Sequence, residues 1–231
     1  MIELTILMPC LNEAESVEFC VKEALGFLES RGIQGQVLLC DNGSSDGSRE
    51  LALRAGADVV AEPLPGYGCA IRRGIRAAKG KYIILSDCDG SYDLSNLDAM
   101  LSFLRRGCHL VVGNRFLGGI APGAMPRSHR YFGVPLLSFL GRLRFGVKLG
   151  DFHCGLRGFS REAALGLPLS CRGMEFATEL IGRFAQAGLQ AEEVPAMLRK
   201  ALRSRPSHLR TIPDGLRHLK LLLFWPKAAP K

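Results

Sequence analysis

The sequence predicts an α/β fold with a mostly parallel central sheet and helices on both of its faces. Short apolar runs alternate with amphipathic helical segments between residues 4 and 86. Most runs are continuously apolar, which is typical of strands buried on both faces of a parallel sheet. Polar residues follow several runs directly, and such sheets bind ligands beyond the carboxyl ends of their strands. A chain of 231 residues, 47% of them hydrophobic, is long enough for one well-buried domain.

The predicted elements follow in a regular order along the first part of the chain. Apolar runs predict strands over residues 4–9, 37–41, 57–61 and 82–86. The intervening segments predict helices over residues 14–30, 48–55 and 68–78.

After a further strand at residues 110–114 the pattern changes. The stretch 118–126 is rich in Gly and Pro, which predicts a mobile loop. A helix near residues 130–145, a helix carrying Glu175 and Glu179, and a strand near residues 191–197 follow. We place the boundary of this main domain at residue 208.

The remaining segment, residues 209–231, is predicted to be a basic amphipathic helix and tail. From Arg199 onwards the chain has nine Lys or Arg residues against the single acid Asp214. Apolar residues recur at steps of three and four, at Leu209, Ile212, Leu216, Leu219 and Leu223. Such a helix either packs on the core or lies on a membrane surface, to which Arg203 and Arg205 would add attraction for anionic lipid.

Composition also indicates where the protein works and which partners it lacks. The eight cysteines are scattered without a Cys-x-x-Cys pair, which favours reduced thiols in a cytoplasmic protein. Residues 1–9 lack the features of a signal peptide, and the apolar run 221–225 is too short to span a bilayer. The net charge of +8 suggests nucleic acid, but no aromatic interleaving or nucleic-acid module accompanies it, so we expect no nucleic-acid partner.

The strongest chemical signal is the acidic motif that ends the strand at residues 82–86. Asp87, Asp89 and Asp93 follow an apolar run directly, and Ser91 lies between them. Carboxylates at a strand end can hold Mg²⁺ or Mn²⁺ against a diphosphate, because such ions take oxygen ligands and are usually completed by substrate phosphates. The alternative is a solvated loop in which one Asp caps the next helix.

Two earlier strand ends carry further polar residues. Pro9, Asn12 and Glu13 follow the first strand, while Asp41, Asn42 and Gly43 begin a turn after the second. A carboxylate at the end of a strand is well placed to accept hydrogen bonds from the edge of a base. The same turn also fits a helix N-cap made by Ser45 or Asp46, and both roles can coexist.

Other candidates have weaker signals. Gly66 and Gly68 precede a helix and can approach phosphates closely, with assistance from Arg72, but the third glycine of a dinucleotide fingerprint is missing. Arg115 and Arg130 have the planar donor fork that suits phosphate, although exposed arginines are usually just solvated. Glu175 and Glu179 lie four residues apart on one helical face, as a solvated pair or as groups that orient an acceptor.

Several ordered motifs together resemble family 2 glycosyltransferases of the GT-A fold, and in particular the dolichyl- or polyprenyl-phosphate hexose synthase branch. The motifs are 8-MPCLNE-13, 41-DNGSSD-46, 66-GYG-68, 78-AKGKYII-84, 87-DCDGSYD-93, 113-GNRF-116 and 151-DFHCG-155. The resemblance extends from residue 3 to about residue 225.

The resemblance implies an inverting transfer of a hexose from a GDP- or UDP-sugar to a polyprenyl phosphate, by a peripheral enzyme on the cytoplasmic face of a membrane. The GT-A catalytic domain would be residues 1–208. The nucleotide-sugar pocket would be formed by Pro9, Asn12, Glu13, Asp41, Asn42, Gly43, Gly66, Gly68, Arg72, Asp87 and Cys88. The metal, Mg²⁺ or Mn²⁺, would be held by Asp87, Asp89 and Ser91, and the catalytic group would be Asp89, Arg115, Arg130, Glu175 and Glu179.

Two features depart from the branch. Ser91 stands where mannose-phosphate synthases often have Gln, and carboxyl-terminal membrane spans are missing from the pattern. The competing reading is a soluble family 2 transferase with a saccharide or small-molecule acceptor. That enzyme needs a general base, for which Glu175, Glu179 or Asp151 is a candidate.

Overall fold

The computed structural model describes residues 1–225, and a seven-stranded sheet runs through its centre. The strand order is β3-β2-β1-β4-β6-β5-β7. The strands are β1 Leu4–Cys10, β2 Gly35–Asp41, β3 Asp58–Ala61, β4 Tyr82–Leu85, β5 Leu110–Asn114, β6 Arg157–Ser160 and β7 Ala191–Pro195.

Six strands run in the same direction, and β6 runs against its neighbours β4 and β5. In the parallel pairs, Leu7 of β1 lies beside Leu38 of β2 on one side and Leu85 of β4 on the other. The carboxyl ends of β1, β2, β4 and β5 therefore meet at one edge of the sheet. The strand order reverses between β1 and β4, which opens a crevice at that edge.

Helices cover both faces of the sheet and bury its apolar side chains. They are α1 Val17–Ser30, α2 Ser48–Arg54, α3 Tyr67–Ala77, α4 Asp98–Arg105, α5 Arg115–Gly118, α6 Val134–Phe145, α7 Arg161–Leu165, α8 Phe176–Gln186 and α9 Thr211–Leu223. A single π-helical turn, His129–Gly133, leads into α6. The central strands are almost wholly apolar and buried, as β4 illustrates with Tyr82-Ile-Ile-Leu85.

The predicted α/β class is confirmed, and the order of elements through β4 follows the sequence prediction. β6, α4, α5 and α7 were not predicted. The helix predicted near residues 130–145 begins as the π-helical turn and continues as α6. Residues 119–126 form an irregular loop, tied to the rest of the fold by a bridge between Ile120 and Leu198.

The last helix, α9, packs against α6 and α8 with an unexpected face. Its buried residues are Asp214, His218 and Leu222, at successive steps of four. The predicted apolar stripe points mostly to solvent, since Ile212, Leu216 and Leu223 are 59–74% exposed. The helix therefore packs on the core, as one of the two readings predicted, but through a different face from the apolar stripe. The final part of the predicted tail, residues 226–231, lies outside the described residues.

Within residues 1–225, no helix combines the length and apolar character that crossing a bilayer requires.

Candidate active site

The crevice at the β1/β4 boundary collects acidic side chains from three strand ends. Asp41 ends β2, Glu13 follows β1, and Asp87 and Asp89 follow β4. Glu13, Asp41 and Asp89 are each only 5% exposed, so their charges depend on neighbouring donors rather than on bulk water.

The two carboxylates of the Asp-x-Asp motif have different surroundings. Asp87 accepts a hydrogen bond from Tyr67 Oη at 3.1 Å and lies against Gly155, where an added Cβ would be 2.2 Å from its Oδ2. Burial raises the pKa of Asp87 to about 6, and the nearby charge of Asp89 contributes to the increase. Asp89 accepts the N–H of Ser91 at 2.9 Å, which fixes the turn between them.

Asp87 and Asp89 fit a hard divalent cation whose coordination shell is completed by substrate oxygens. Carboxylate oxygens are the ligands that Mg²⁺ and Mn²⁺ prefer, and Mg²⁺ sites often have only one or two protein carboxylates. Among residues 1–225 there is no cluster of three or more His, Cys, Asp or Glu that would form a closed metal cage. A cationic side chain, Arg203, lies 3.0 Å from Asp89 Oδ2, so the position already attracts positive charge. Ser91, also predicted as a ligand, uses its backbone to hold this loop, donating to Asp89 and accepting from Arg199.

The turns after β1 and β2 are joined by side-chain hydrogen bonds. Asn12 has a left-handed backbone, with φ of 56°, and accepts the N–H of Ser45 at 2.8 Å. Its own N–H donates to Ser44 Oγ at 2.8 Å. Asp41 accepts the N–H groups of Gly43 and Ser44, and Pro9 lies near the end of β1 beside Cys40. The predicted pocket residues of these two strand ends therefore lie together.

The helix cap expected within this turn takes a different form. Gly47 occupies the N-cap position of α2, with φ of 87° and no side-chain cap. Asp46 instead accepts from the N–H of Ser48 at 3.0 Å and from the N–H of Ala14 at 2.9 Å. The Asp46 carboxylate thereby joins the two loops.

Asn42, Gly66 and Gly68 organise a neighbouring loop. The Asn42 amide donates to the carbonyls of Glu62 and Leu64 and accepts the N–H of Gly66. A Cβ at Gly66 would lie 2.3 Å from the Arg172 carbonyl oxygen, and one at Gly68 would lie 2.3 Å from that of Cys171. These glycines allow close packing of backbone on backbone, and their contact with a phosphate stays a prediction.

Two other predicted pocket residues also face away from the acidic pair. Arg72 directs its guanidinium at the carbonyls of Gly68 and Leu169. Cys88 is buried, and its carbonyl accepts from Ser16 Oγ at 2.7 Å. Arg72 and Cys88 therefore support the walls of the site, and their contact with the nucleotide sugar stays a prediction.

On the other side of the crevice, Arg115 is held by a buried carboxylate. Its Nε and Nη2 donate to the two oxygens of Asp151 at 2.6 and 2.8 Å, and Asp151 is fully buried. This bidentate pair fixes the plane of the guanidinium. Arg130, in contrast, is exposed on the π-helical turn, with its Cζ 5.5 Å from the centroid of Tyr131. The sequence did not reveal that Asp151 is the partner of Arg115.

The two glutamates of α8 have separate structural environments. Glu179 is fully buried, and its carboxylate accepts from the N–H groups of Ser170 and Cys171 and from Ser170 Oγ. That carboxylate holds the loop at Ser170, and the catalytic role of Glu179 stays a prediction. Glu175 Oε1 accepts the N–H of Gly173 at 3.1 Å, while its buried Oε2 has no hydrogen-bond partner within the described part of the chain.

Arg203 and Arg205, predicted from the sequence to attract anionic lipid, lie on a segment that crosses the crevice. Arg203 forms ion pairs with Glu13 at 2.8 Å and Asp89 at 3.0 Å, and Arg205 pairs with Glu13 at 2.8 Å. These two cations are therefore paired with acids of the crevice, and their role at a membrane stays a prediction. No periodic pattern marks the segment, and its basic composition alone does not indicate which acids it meets.

The model of the family described as glycosyl transferase family 2 matches residues 5–166. The chain belongs to glycosyltransferase family 2. The matched region contains the strand ends, the Asp-x-Asp motif and the Arg115–Asp151 pair, so the crevice of this family 2 transferase lies within the shared part of the fold.

Curated relatives support the family and extend beyond the matched region. The transferase is 34% identical to the low-salt glycan biosynthesis hexosyltransferase Agl6 of Haloferax volcanii, over 95% of its own length. It spans only 53% of that relative. It is also 26% identical to a dolichyl-phosphate hexose transferase of the same organism, covering 86% of this chain and 83% of the relative.

Solved structures agree on the fold. Glucosyl-3-phosphoglycerate synthase from Mycobacterium tuberculosis, in complex with phosphoglyceric acid, superposes with a TM-score of 0.77 at 23% identity, over 98% of this chain and 81% of that one. The same synthase in complex with Mg²⁺ and UDP gives a TM-score of 0.76 at the same identity and coverage. The family 2 transferase therefore has the GT-A fold.

Proposed function

We propose that this family 2 transferase moves a hexose from a nucleotide diphosphate sugar to a polyprenyl phosphate, with inversion at the sugar carbon and with a divalent metal. The observation that carries the choice of acceptor is an exposed apolar surface beside the arginines of the crevice. The metal, the donor and the acceptor each have a distinct place in this proposal.

The donor binds where the strand ends collect polar groups. Pro9, Asn12, Glu13 and Asp41 line the nucleotide side, and Asp87 and Asp89 hold Mg²⁺ or Mn²⁺. When bound, the metal offsets the negative charge that develops on the departing diphosphate. A glucosyl-3-phosphoglycerate synthase of the same fold was solved with Mg²⁺ and UDP, which supports this arrangement.

The acceptor phosphate lies on the Arg115 side. The Asp151 carboxylate engages Nε and Nη2 of Arg115, so the remaining N–H groups of this oriented guanidinium are available for phosphate oxygens. Arg130 adds a second cation, with no carboxylate within ion-pair distance among residues 1–225. A phosphate oxygen attacks the anomeric carbon as the bond to the nucleotide diphosphate breaks. Because the acceptor is already anionic, the step needs positioning more than a general base.

The exposed apolar surface, which we call the apolar ridge, extends from the π-helical turn along α6 and α9. Its side chains are 48–75% exposed: Tyr131, Phe132, Leu136, Phe139, Leu143, Ile212, Leu216, Leu223 and Phe224. The ring of Phe145 meets that of Trp225 edge to face at 4.6 Å, which joins the ends of the two helical segments. So large an exposed apolar surface is characteristic of an interaction site.

Basic side chains on the same segments favour a membrane as the partner of the apolar ridge. They are Arg130, Arg142, Arg144, Arg210, Arg217 and Lys220, and the one acid of α9, Asp214, is buried. Apolar groups beside Lys and Arg suit the boundary between acyl chains and anionic headgroups. A surface lying on the membrane would present Arg130 to the phosphate of a lipid acceptor. The relative named as a dolichyl-phosphate hexose transferase agrees with such an acceptor.

The experiment incubates purified protein with labelled GDP-mannose, UDP-glucose or UDP-N-acetylglucosamine, polyprenyl phosphate and Mg²⁺ or Mn²⁺. We expect label to enter the organic phase with one donor, only with metal, and not with Asp89→Asn. An anomeric assignment of the lipid product by NMR tests inversion. Label transferred to phosphoglycerate or a saccharide but not to lipid would overturn the acceptor.

One observation favours the second candidate, a soluble transferase with a hydroxyl acceptor. Such an acceptor needs a base, and Glu175 has a buried oxygen without a hydrogen-bond partner in the described chain. Glu175→Gln separates the two reactions. The lipid phosphate reaction should keep most of its rate, whereas a hydroxyl acceptor should lose about 10²–10⁴-fold.

A further inference from the structure

A short segment between β7 and α9 crosses the mouth of the crevice. We call residues 199–208 the strap. Its backbone donates from Arg199 to the Ser91 carbonyl at 2.8 Å and from Leu202 to the Asp89 carbonyl at 2.9 Å. Beyond Arg203, Ser204 donates to the carboxylate of Glu15. The strap therefore connects the metal loop on one side with the turn after β1 on the other.

At the centre of the strap, Arg203 bridges the two acidic sides of the crevice. Its Nη1 lies 2.8 Å from Glu13 Oε1 and its Nη2 lies 3.0 Å from Asp89 Oδ2. The side chains of Arg203, Glu13 and Asp89 are only 13%, 6% and 8% exposed. Ion pairs screened this little by water are much stronger than surface pairs.

The guanidinium places a positive charge beside Asp89, one of the carboxylates that would hold a metal ion. An arginine is permanently charged in proteins, so it cannot leave the site by losing a proton. A divalent cation beside Asp89 would meet strong repulsion from Arg203 at this distance. Metal binding therefore requires Arg203 to move, which also breaks its pair with Glu13. Arg205 keeps one cation on Glu13 without touching Asp89.

We infer that Arg203 is an internal counter-cation that suppresses metal binding at Asp87 and Asp89 until the nucleotide sugar displaces the strap. The inference rests on the metal dependence in the proposed function. It goes beyond that function because it assigns an order of binding. Free metal binds weakly, and the nucleotide and the metal each raise the affinity for the other, as reciprocal coupling requires.

The test measures Mn²⁺ affinity by electron paramagnetic resonance of the free ion, with and without UDP or GDP. Without nucleotide, Arg203→Gln should bind Mn²⁺ about tenfold more tightly than the wild type, a typical size for coupling between sites. Arg205→Gln is the matched control, because it removes a strap arginine but leaves the pair with Asp89; its affinity should stay within about twofold. Arg203→Lys keeps the charge, and we expect an affinity within about threefold of the wild type.

The outcomes separate this inference from the proposed function. Equal Mn²⁺ affinities for the wild type and Arg203→Gln, with nucleotide-dependent binding in both, would overturn the counter-cation and leave the metal-dependent transferase intact. Absence of Mn²⁺ binding under every condition would overturn both. If Arg203→Gln unfolds, the wild type and Arg203→Lys decide the matter, because a wild type whose Mn²⁺ affinity does not change with nucleotide contradicts the inference.

Discussion

The charged groups of the crevice have partners within the chain, whereas the apolar side chains of the ridge face solvent. In the crevice, Asp89 has a backbone donor and a guanidinium, and Arg115 has a buried carboxylate. On the ridge, large apolar side chains such as Phe132 and Ile212 are 74% exposed. The crevice is organised by groups of the same chain, whereas the ridge presents a surface that gains free energy only against something apolar. Substitutions should therefore affect stability and chemistry in the first region and partner binding in the second.

The largest effect on stability should come from breaking the ion pair between Arg115 and Asp151. Asp151→Asn leaves Arg115 buried without its counter-charge, which we expect to lower the free energy of unfolding by about 3–5 kcal/mol. Denaturant unfolding measures the change. Asp98→Asn is the matched control, since Asp98 pairs with Arg31 on the surface and should cost at most about 1 kcal/mol. Equal costs for the two variants would contradict the assignment of Asp151 as a buried support.

Asp89→Asn should act on chemistry more than on stability. The variant keeps the size of the side chain but loses the charge that the metal requires, so transfer should fall by about 10²–10³-fold. Labelled lipid product measures the rate. Asp93→Asn, on the same loop, is the control, because Asp93 pairs with Arg199 and caps the turn at Ser95. A transfer rate near that of the wild type for Asp89→Asn would remove Asp89 from the site.

Gly66→Ala tests the close packing of backbone on backbone. Gly66 has φ of 134°, and the new Cβ would lie 2.3 Å from the Arg172 carbonyl oxygen, so we expect a cost of about 2–3 kcal/mol in the free energy of unfolding. Gly43→Ala is the matched control. Gly43 also has a positive φ, of 92°, but no atom lies within 4 Å of the added Cβ. A Gly66→Ala cost no greater than that of Gly43→Ala would mean that the contact with Arg172 is unimportant.

The docking of α9 should depend on pH through His218. Burial lowers the pKa of His218 to about 4, with help from Arg157 and against the effect of Asp214, and its Nδ1 pairs with Thr178 Oγ1 at 2.8 Å. A lowered histidine pKa means that this contribution is complete above the unfolded value of about 6.5 and is lost as the pH falls towards 4. We expect the loss to be on the order of 3 kcal/mol across that window.

Thermal unfolding between pH 7.5 and pH 4.5 measures this dependence. His218→Asn should flatten the decline, whereas His208→Asn, an exposed histidine on the strap, should leave it as in the wild type. A decline of the same steepness in His218→Asn would assign the pH dependence to other groups.

The smallest effect on stability should come from the apolar ridge. The double variant Ile212→Ser and Leu216→Ser changes exposed side chains, so the free energy of unfolding should move by less than about 0.5 kcal/mol. Flotation with anionic vesicles should nevertheless be lost. Leu53→Ser is the control, because Leu53 is 52% exposed on α2, away from the ridge. Undiminished flotation of the double variant would reject the ridge as the membrane surface.

The sequence predicted the donor half of the fold well because its physical signals are local. Four largely apolar runs separated by helical segments specify β1 to β4, and acidic residues at the ends of three of them coincide with the crevice. β6 escaped prediction because it is four residues long and contains Arg157 and Gly158, without a strand-like pattern. Short antiparallel strands of this kind are determined by their neighbours in the sheet.

The roles of individual side chains depended on contacts that no local pattern encodes. The spacing of Glu175 and Glu179 suggested a shared face, but only the fold shows that Glu179 accepts from the distant loop at Ser170. The apolar stripe correctly predicted that α9 is a helix but not which of its faces is buried. Asp214 and His218 lie on the buried face, where each has a hydrogen-bond partner. Arg203 meets Glu13 across 190 residues of chain, a distance over which composition gives no information.

The strap has one more consequence, which concerns competition. It is anchored at one end by the bridge of Leu198 to Ile120 and at the other by the start of α9. A side chain tethered so closely reaches its partner at an effective concentration on the order of millimolar. Free guanidinium or polyamine at micromolar levels would therefore not replace Arg203 at Asp89. Before the metal binds, the partner of Asp89 should therefore be set inside the molecule, largely independent of small organic cations in the surrounding solution.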